Sequence, residues 1–187
     1  MGLDIYAASH LVYARPIPKG KALDRLEAEL DERGKSLDEV YYCLWPNDRA
    51  HRARLRGMKP GLYEFTPQTR RCAFRAGPYS YYNWWRNELS LFALGAEAQD
   101  VWMAPEDYRG RPFVELIDFT DCDGRVGTPV AAKLAADFTA AARRATRHAA
   151  AVVVDDNPDA GADWLRVYRD FARAFRVAAR AGALKFC

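Results

Sequence analysis

The chain has no long hydrophobic run: its longest wholly apolar stretches, such as Ala149 to Val154, fall far short of the roughly 20 residues a membrane-spanning helix needs. Cysteine is sparse. Cys43, Cys72, Cys122 and Cys187 stand singly, with no Cys-x-x-Cys pair, which argues against both a disulfide framework and a zinc ribbon, so free thiols are expected. Histidine is equally scarce, with His10, His51 and His148 far apart, and no spacing recommends a metal cluster. No large excess of one charge exists either. Twenty-eight basic and 25 acidic side chains leave a net charge of +3, which argues against nucleic acid as the partner. The opening Met-Gly-Leu-Asp-Ile-Tyr lacks a basic segment before an apolar stretch, and Tyr6 stands where a myristoylation motif has Ser or Thr; neither a secretory signal nor a lipid anchor is expected, and the expected location is cytoplasmic.

What the 187 residues do contain is an ordinary globular balance, half apolar and 28% charged, enough for one domain over residues 1–187 with a single sizeable core. Leu3 to Pro16 reads as a strand, Lys19 to Arg33 as an amphipathic helix stopped at Gly34, and Val40 to Trp45 as a second strand. Gly61 to Thr66 and Arg70 to Ala76 flank Pro67-Gln68-Thr69 like a hairpin. The period turns helical from Gly77 to Leu94, with Gly95 as the stop, and Phe113 to Phe119 resumes strand character. Thr128-Pro129 starts a helix running to about His148; a last helix spans Asp163 to Ala181 before a short strand, Leu184 to Cys187. Strands and helices mix without regular alternation, so the expected class is α+β: one mixed, largely antiparallel sheet with about four helices packed on it.

Two stretches exceed what a core requires. The first, Gly77-Pro78-Tyr79-Ser80-Tyr81-Tyr82-Asn83-Trp84-Trp85-Arg86, packs five aromatic rings into seven positions at a strand-to-helix junction. At 100° per residue these rings cannot all share one buried face. Some are therefore expected to line a pocket that stacks a planar ligand, with Tyr79, Ser80, Tyr82 and Trp85 around it and Asn83 and Arg86 giving directional hydrogen bonds. Ser80 or Asn83 is placed to cap the helix, whose free N–H groups favour an anion such as phosphate. The alternative is an aromatic corner of the core.

The second stretch, Asp118-Phe119-Thr120-Asp121-Cys122-Asp123-Gly124-Arg125-Val126-Gly127, leads from an apolar segment into a helix. Its carboxylates could hold Mg²⁺, which takes few protein ligands and keeps its waters; Asp121 and Asp123 are the candidate ligands. Gly124 joins the candidate ligand site. A calcium loop counted from Asp121 fails, because Val126 and Ala132 stand where Gly and Glu are needed. Asp121-Cys122-Asp123-Gly124 resembles the nucleophile motif of haloacid-dehalogenase-type phosphatases, which implies that Asp121 attacks phosphorus and Asp123 acts as acid and base, with Mg²⁺ neutralising the phosphate. Val152 to Asp156 imitates their late acidic motif. Against this, Arg125 replaces the usual Thr, and only about thirty residues separate the motif from Asp155, too few for that family's parallel sheet. A solvated acidic turn is the plainer alternative.

In the last helix, Arg166, Arg169, Arg173, Arg176 and Arg180 recur at 3, 4, 3, 4 spacing, which puts them on one face opposite Trp164, Tyr168, Phe171 and Phe175. Only Asp163 and Asp170 are placed to pair with them. The strip is either a solvated face or a basic surface that could meet nucleic acid or an acidic protein.

The opening Met-Gly-Leu-Asp-Ile-Tyr, the Tyr79–Arg86 segment, and Phe119-Thr-Asp-Cys-Asp-Gly with Lys133-Leu-Ala-Ala-Asp-Phe together resemble a group of uncharacterised proteins from bacteria and their phages. That resemblance implies an accessory, phage-related protein and no activity. Three functions are expected from the residues: a small-ligand or nucleotide-binding domain joining the two stretches; a Mg²⁺-dependent phosphoryl hydrolase using Asp121 and Asp123; and a protein-interaction module using the arginine strip.

Overall fold

The computed structural model describes residues 2–119, 124–154 and 157–187. Its architecture is α+β, with two antiparallel sheets where the sequence led us to expect one. The reason lies at the first strand. Leu3 to Pro16 is broken at Ser9-His10 into β1 (Gly2–Ala8) and β2 (Val12–Arg15), with His10 in a left-handed conformation at φ 50°. β1 lies between β5 (Arg71–Pro78) and β7 (Ala183–Phe186), and β6 (Gly124–Val126) adds to β7, giving the order β5-β1-β7-β6. β2 instead joins β4 (Gly61–Glu64) and β3 (Tyr41–Leu44) in the order β2-β4-β3.

The expected hairpin is accordingly absent: β4 and β5 are consecutive in the chain but belong to different sheets. The intervening segment makes its own turn, in which Thr69 Oγ1 accepts the Thr66 N–H at 2.8 Å. The strand expected at Phe113 to Phe119 is a helical turn, α5 (Val114–Ile117), entered through Phe113 in a left-handed conformation at φ 63°. An apolar run this short fits either state by pattern, and packing decides it: Phe113, Val114, Leu116 and Ile117 are all buried in the main core.

Of the remaining helices, α1 (Lys21–Asp31), α2 (Leu37–Val40), α3 (Tyr79–Leu94), α4 (Ala98–Met103), α6 (Thr128–Ala149) and α7 (Ala160–Ala178), the four long ones, α1, α3, α6 and α7, fall close to where periodicity put them, while the short α2 and α4 carry no periodic signal and were not expected. Gly95 ends α3 in the left-handed conformation, the backbone state glycine adopts without steric cost. Thr128 does not cap α6. Its hydroxyl donates to Gly182 O at 2.7 Å, tying the helix start to the approach to β7.

Alternation along β1 sorts its two faces. Leu3, Ile5 and Ala7 enter the main core with Leu184 and Phe186, against Trp85, Phe138, Trp164, Phe171 and Phe175 from α3, α6 and α7. Ala8 and Ala183 enter a second cluster, where the two sheets meet through Tyr42, Leu44 and Tyr63. Leu26 and Leu30 of α1 cover Cys43 and Leu62 in a third. Among the described residues no helix is long and apolar enough to cross a membrane.

Candidate functional site

Five aromatic residues at the start of α3 divide by exposure. Tyr82 and Trp85 are fully buried. Trp85 stacks on Phe171 at 4.9 Å and on Tyr82 at 5.9 Å, and its Nε1 donates to Trp164 O at 3.0 Å while Trp164 Nε1 donates back to Trp85 O at 3.3 Å. These two rings are core, and no planar ligand reaches their faces. Tyr79 is half-buried and Ser80 exposed. Pro78 holds the N-cap position, and no side chain caps the helix; Asn83, expected to do so, accepts a hydrogen bond from Arg86 Nη2 at 2.7 Å instead.

One turn further along, the helix does meet the second stretch. Arg86 is buried, and its Nη1 donates to Phe119 O. Its guanidinium lies over the Trp102 ring at 4.7 Å and over Tyr82 at 5.2 Å, within the reach of cation–π attraction. Helical spacing of i and i+3 sets Asn83 beside Arg86. Both face an open depression of about 520 Å³ with Asp48, His51, Trp102, Asp118 and Phe119.

The opposite wall comes from the turn after β3. His51 N donates to Asp48 Oδ1 at 2.8 Å, and His51 Nδ1 pairs with the same oxygen at 3.0 Å. These bonds hold the Asp48 carboxyl below its usual range, the backbone N–H of His51 first and its side chain second. The His51 ring stands edge-on to Phe119 at 5.2 Å. Asp118 is gripped by Arg54, whose Nη2 donates to Asp118 O at 2.9 Å and to Asp118 Oδ2 at 3.0 Å. Asn47 holds the far side of the loop through Arg125: the Arg125 N–H donates to Asn47 Oδ1, and Asn47 Nδ2 donates to Arg125 O, both at 2.7 Å. Three elements thus clamp the ends of the acidic stretch.

A deeper cavity of about 680 Å³ adjoins the depression, sharing His51, Trp102 and Asp118 and adding Arg54, Arg56, Arg109, Glu106 and Glu115. Trp102 stands between them, 38% exposed, its Nε1 donating to Ile117 O at 2.8 Å. Arg109 pairs with Glu106, and Arg54 with Asp118. Arg56 is exposed and has no ion pair among the described residues. The cavity therefore joins an aromatic face to an uncommitted cation.

Asp121 and Asp123 lie outside the described residues, as do Asp155 and Asp156; no cluster of His, Cys, Asp and Glu among the described residues is arranged to hold a metal ion. Gly124 is buried and pairs with Phe186 at the start of β6. Sequence reasoning missed Asn47, His51, Arg54, Arg56 and Trp102. Nothing in the spacing pairs residues 47–56 with residues 118–125. Trp102, one aromatic in a short helix, gave no periodic signal.

Another cavity, of about 420 Å³, separates the two sheets and is lined by Tyr6, Tyr42, Asp38 and Lys185 among others. Several of its polar groups are paired: Lys185 bonds Asp38 at 2.9 Å, the Tyr42 hydroxyl lies 3.0 Å from Tyr6 O and 3.2 Å from Ala183 O, and the Arg71 guanidinium lies over the Phe65 ring. The depression around Trp102 is the better candidate. Comparison with protein-family profiles, with curated proteins and with solved structures finds no match.

Proposed function

We propose that the protein binds a small planar anionic ligand of the nucleotide class in the paired cavities around Trp102. The observation that carries the reading is the position of Trp102: a part-exposed indole, fixed by its bond to Ile117 O and by Arg86 over its ring, between two cavities whose volumes of about 520 and 680 Å³ suit a ligand of that size. A base stacked on Trp102 gains aromatic contact without ordering a flexible side chain. Arg56 supplies charge for a phosphate, and Asn83 and His51 offer hydrogen bonds to the base or sugar.

Adenosine and guanosine mono- and triphosphates are the probes. Binding at 100 times Kd stabilises by about 2.7 kcal/mol, and for a chain of this length that raises Tm by roughly 5–11 °C. Trp102→Ala and Arg56→Ala abolish the shift while the unliganded proteins stay folded. A panel in which no nucleotide moves Tm, or in which Trp102→Ala binds as well as the parent, overturns the reading.

Phosphoryl hydrolysis dependent on Mg²⁺ is the second reading. Asp48, His51 and Asp118 line the same depression, and Asp118 and Phe119 closely precede Asp121 and Asp123 in the chain. That reading requires phosphate release that depends on Mg²⁺ and is lost in Asp121→Asn. Ligand recovered unchanged after incubation with Mg²⁺ leaves binding alone.

A further inference from the structure

The arginine strip of α7 is not uniform. All five arginines are exposed, but their neighbours differ. Arg166 lies 3.6 Å from Asp163 and 3.8 Å from Asp170, and Arg173 bonds Asp170 at 3.0 Å. At the C-terminal end, Arg173, Arg176 and Arg180 line a cavity of about 220 Å³ together with Arg70, which comes from the connection between β4 and β5. Ser9 and Val177 complete the wall. No carboxylate lines it, and Arg70, Arg176 and Arg180 have no ion pair among the described residues.

Cations often gather at a helix C-terminus to complement its carbonyls. Here the backbone already does part of that work. His10 N–H donates to Arg180 O at 2.8 Å, and Leu11 N–H donates to Ala181 O at 2.9 Å. The same crossing segment fixes Arg70: Ser9 N–H donates to Arg70 O at 3.0 Å, and Arg70 N–H donates to Ser9 Oγ at 2.9 Å. Two elements far apart in sequence are thus bolted together so that four arginines line one small cavity; Arg173 bonds Asp170 and Arg176 Nε donates to Ala172 O at 3.2 Å, while Arg70 and Arg180 make no ion pair among the described residues. An anion bound among them would relieve the mutual repulsion of their positive charges, and guanidinium groups match tetrahedral oxyanions through paired N–H donors.

We propose that this cavity is a phosphate-binding site, separate from the depression around Trp102, taking a free phosphate or the phosphate group of a small ester. The cavity accommodates one such group, and the remainder of the strip, Arg166 and Arg169, lies outside it. Arg169 is the internal control. It is exposed, belongs to the same helix face and lines no part of the cavity.

Isothermal titration with inorganic phosphate and with pyrophosphate, at fixed ionic strength set by chloride, tests the site. Arg70→Ala and Arg180→Ala each weaken binding roughly tenfold or more, whereas Arg169→Ala changes it less than twofold. Trp102→Ala leaves phosphate affinity intact, which separates this site from the nucleotide reading. Glycerol phosphate binding as well as inorganic phosphate identifies an ester as an acceptable source; its exclusion restricts the site to the free ion, and both results need Arg70. Overturning results are an absence of phosphate binding, or equal losses in Arg70→Ala and Arg169→Ala, which make the attraction a property of the whole basic face. Circular dichroism melts of each variant without phosphate confirm that the fold is retained.

Discussion

Replacing Trp85 by Ala decides whether the start of α3 is a ligand platform or a core wall. The indole is fully buried, lies between Phe171 and Tyr82 at 4.9 and 5.9 Å, and shares reciprocal N–H to carbonyl bonds with Trp164. Truncating such a ring removes its transfer energy and leaves a cavity that the surrounding aromatic rings cannot fill, a loss of about 3–5 kcal/mol. The upper half of that range applies, because Trp164 O also loses its indole donor. At roughly 2–4 °C per kcal/mol for a chain of this length, Tm falls by about 8–20 °C. Marginal proteins have only about 5–15 kcal/mol in total, so part of the population unfolds at 37 °C. Urea denaturation followed by far-ultraviolet circular dichroism measures the change directly, provided the slope with denaturant is unchanged. A ring that faced ligand would cost within about 0.5 kcal/mol. A shift of under 2 °C in Trp85→Ala refutes the packing described above.

Gly182→Ala places a Cβ 1.9 Å from Ala8 O and 2.8 Å from Ala8 C; both are backbone atoms of a paired strand, so the loss reaches the upper end of about 1–3 kcal/mol or beyond, and an unchanged Tm contradicts the pairing of β1 with β7. Burial pushes the Cys43 thiol up to about 12, with the charge of Asp38 adding to it, so peptide mapping after thiol labelling at pH 8 finds Cys187 modified and Cys43 protected until urea is added. Tyr42, Tyr81 and Tyr168 are raised by burial first, Tyr81 to about 12. The stability this reflects is fully present below the ordinary tyrosine range near about 10, and it is lost as pH rises through the raised values. Absorbance at the phenolate band then shows a delayed group of tyrosines that ionises together with unfolding; a single transition near the ordinary value excludes their burial.

Local chemistry made the four long helices legible. Gly95 and Thr128-Pro129 marked helix ends, and the opposition of Trp164, Tyr168, Phe171 and Phe175 to the four arginines of α7, with Arg180 just past its end, is the one observed. What was not legible depends on long-range packing. Ser9-His10 carries no turn signal, yet the break there sends β1 and β2 to different sheets. Phe113 to Phe119 has a strand's composition and becomes a helical turn because its apolar residues are covered on several sides. At the site, the aromatic density at Tyr79 to Trp85 was visible, but its meaning was not: i, i+3 and i+7 positions fill the core with Tyr82, Trp85 and Leu89, leaving Asn83 at the depression and Arg86 over Trp102. The partner ring, Trp102, comes from a different helix, and no spacing in the sequence links the two.

The central claim, that Trp102 rather than the rings of α3 receives the ligand, is tested most directly by titrating adenosine and guanosine triphosphates into the parent protein and into Trp102→Ala by calorimetry. Saturable binding to the parent, reduced in the folded Trp102→Ala protein to no more than the affinity it shows for pyrophosphate alone, is the outcome expected; equal affinity in the two, or no binding to either, contradicts it.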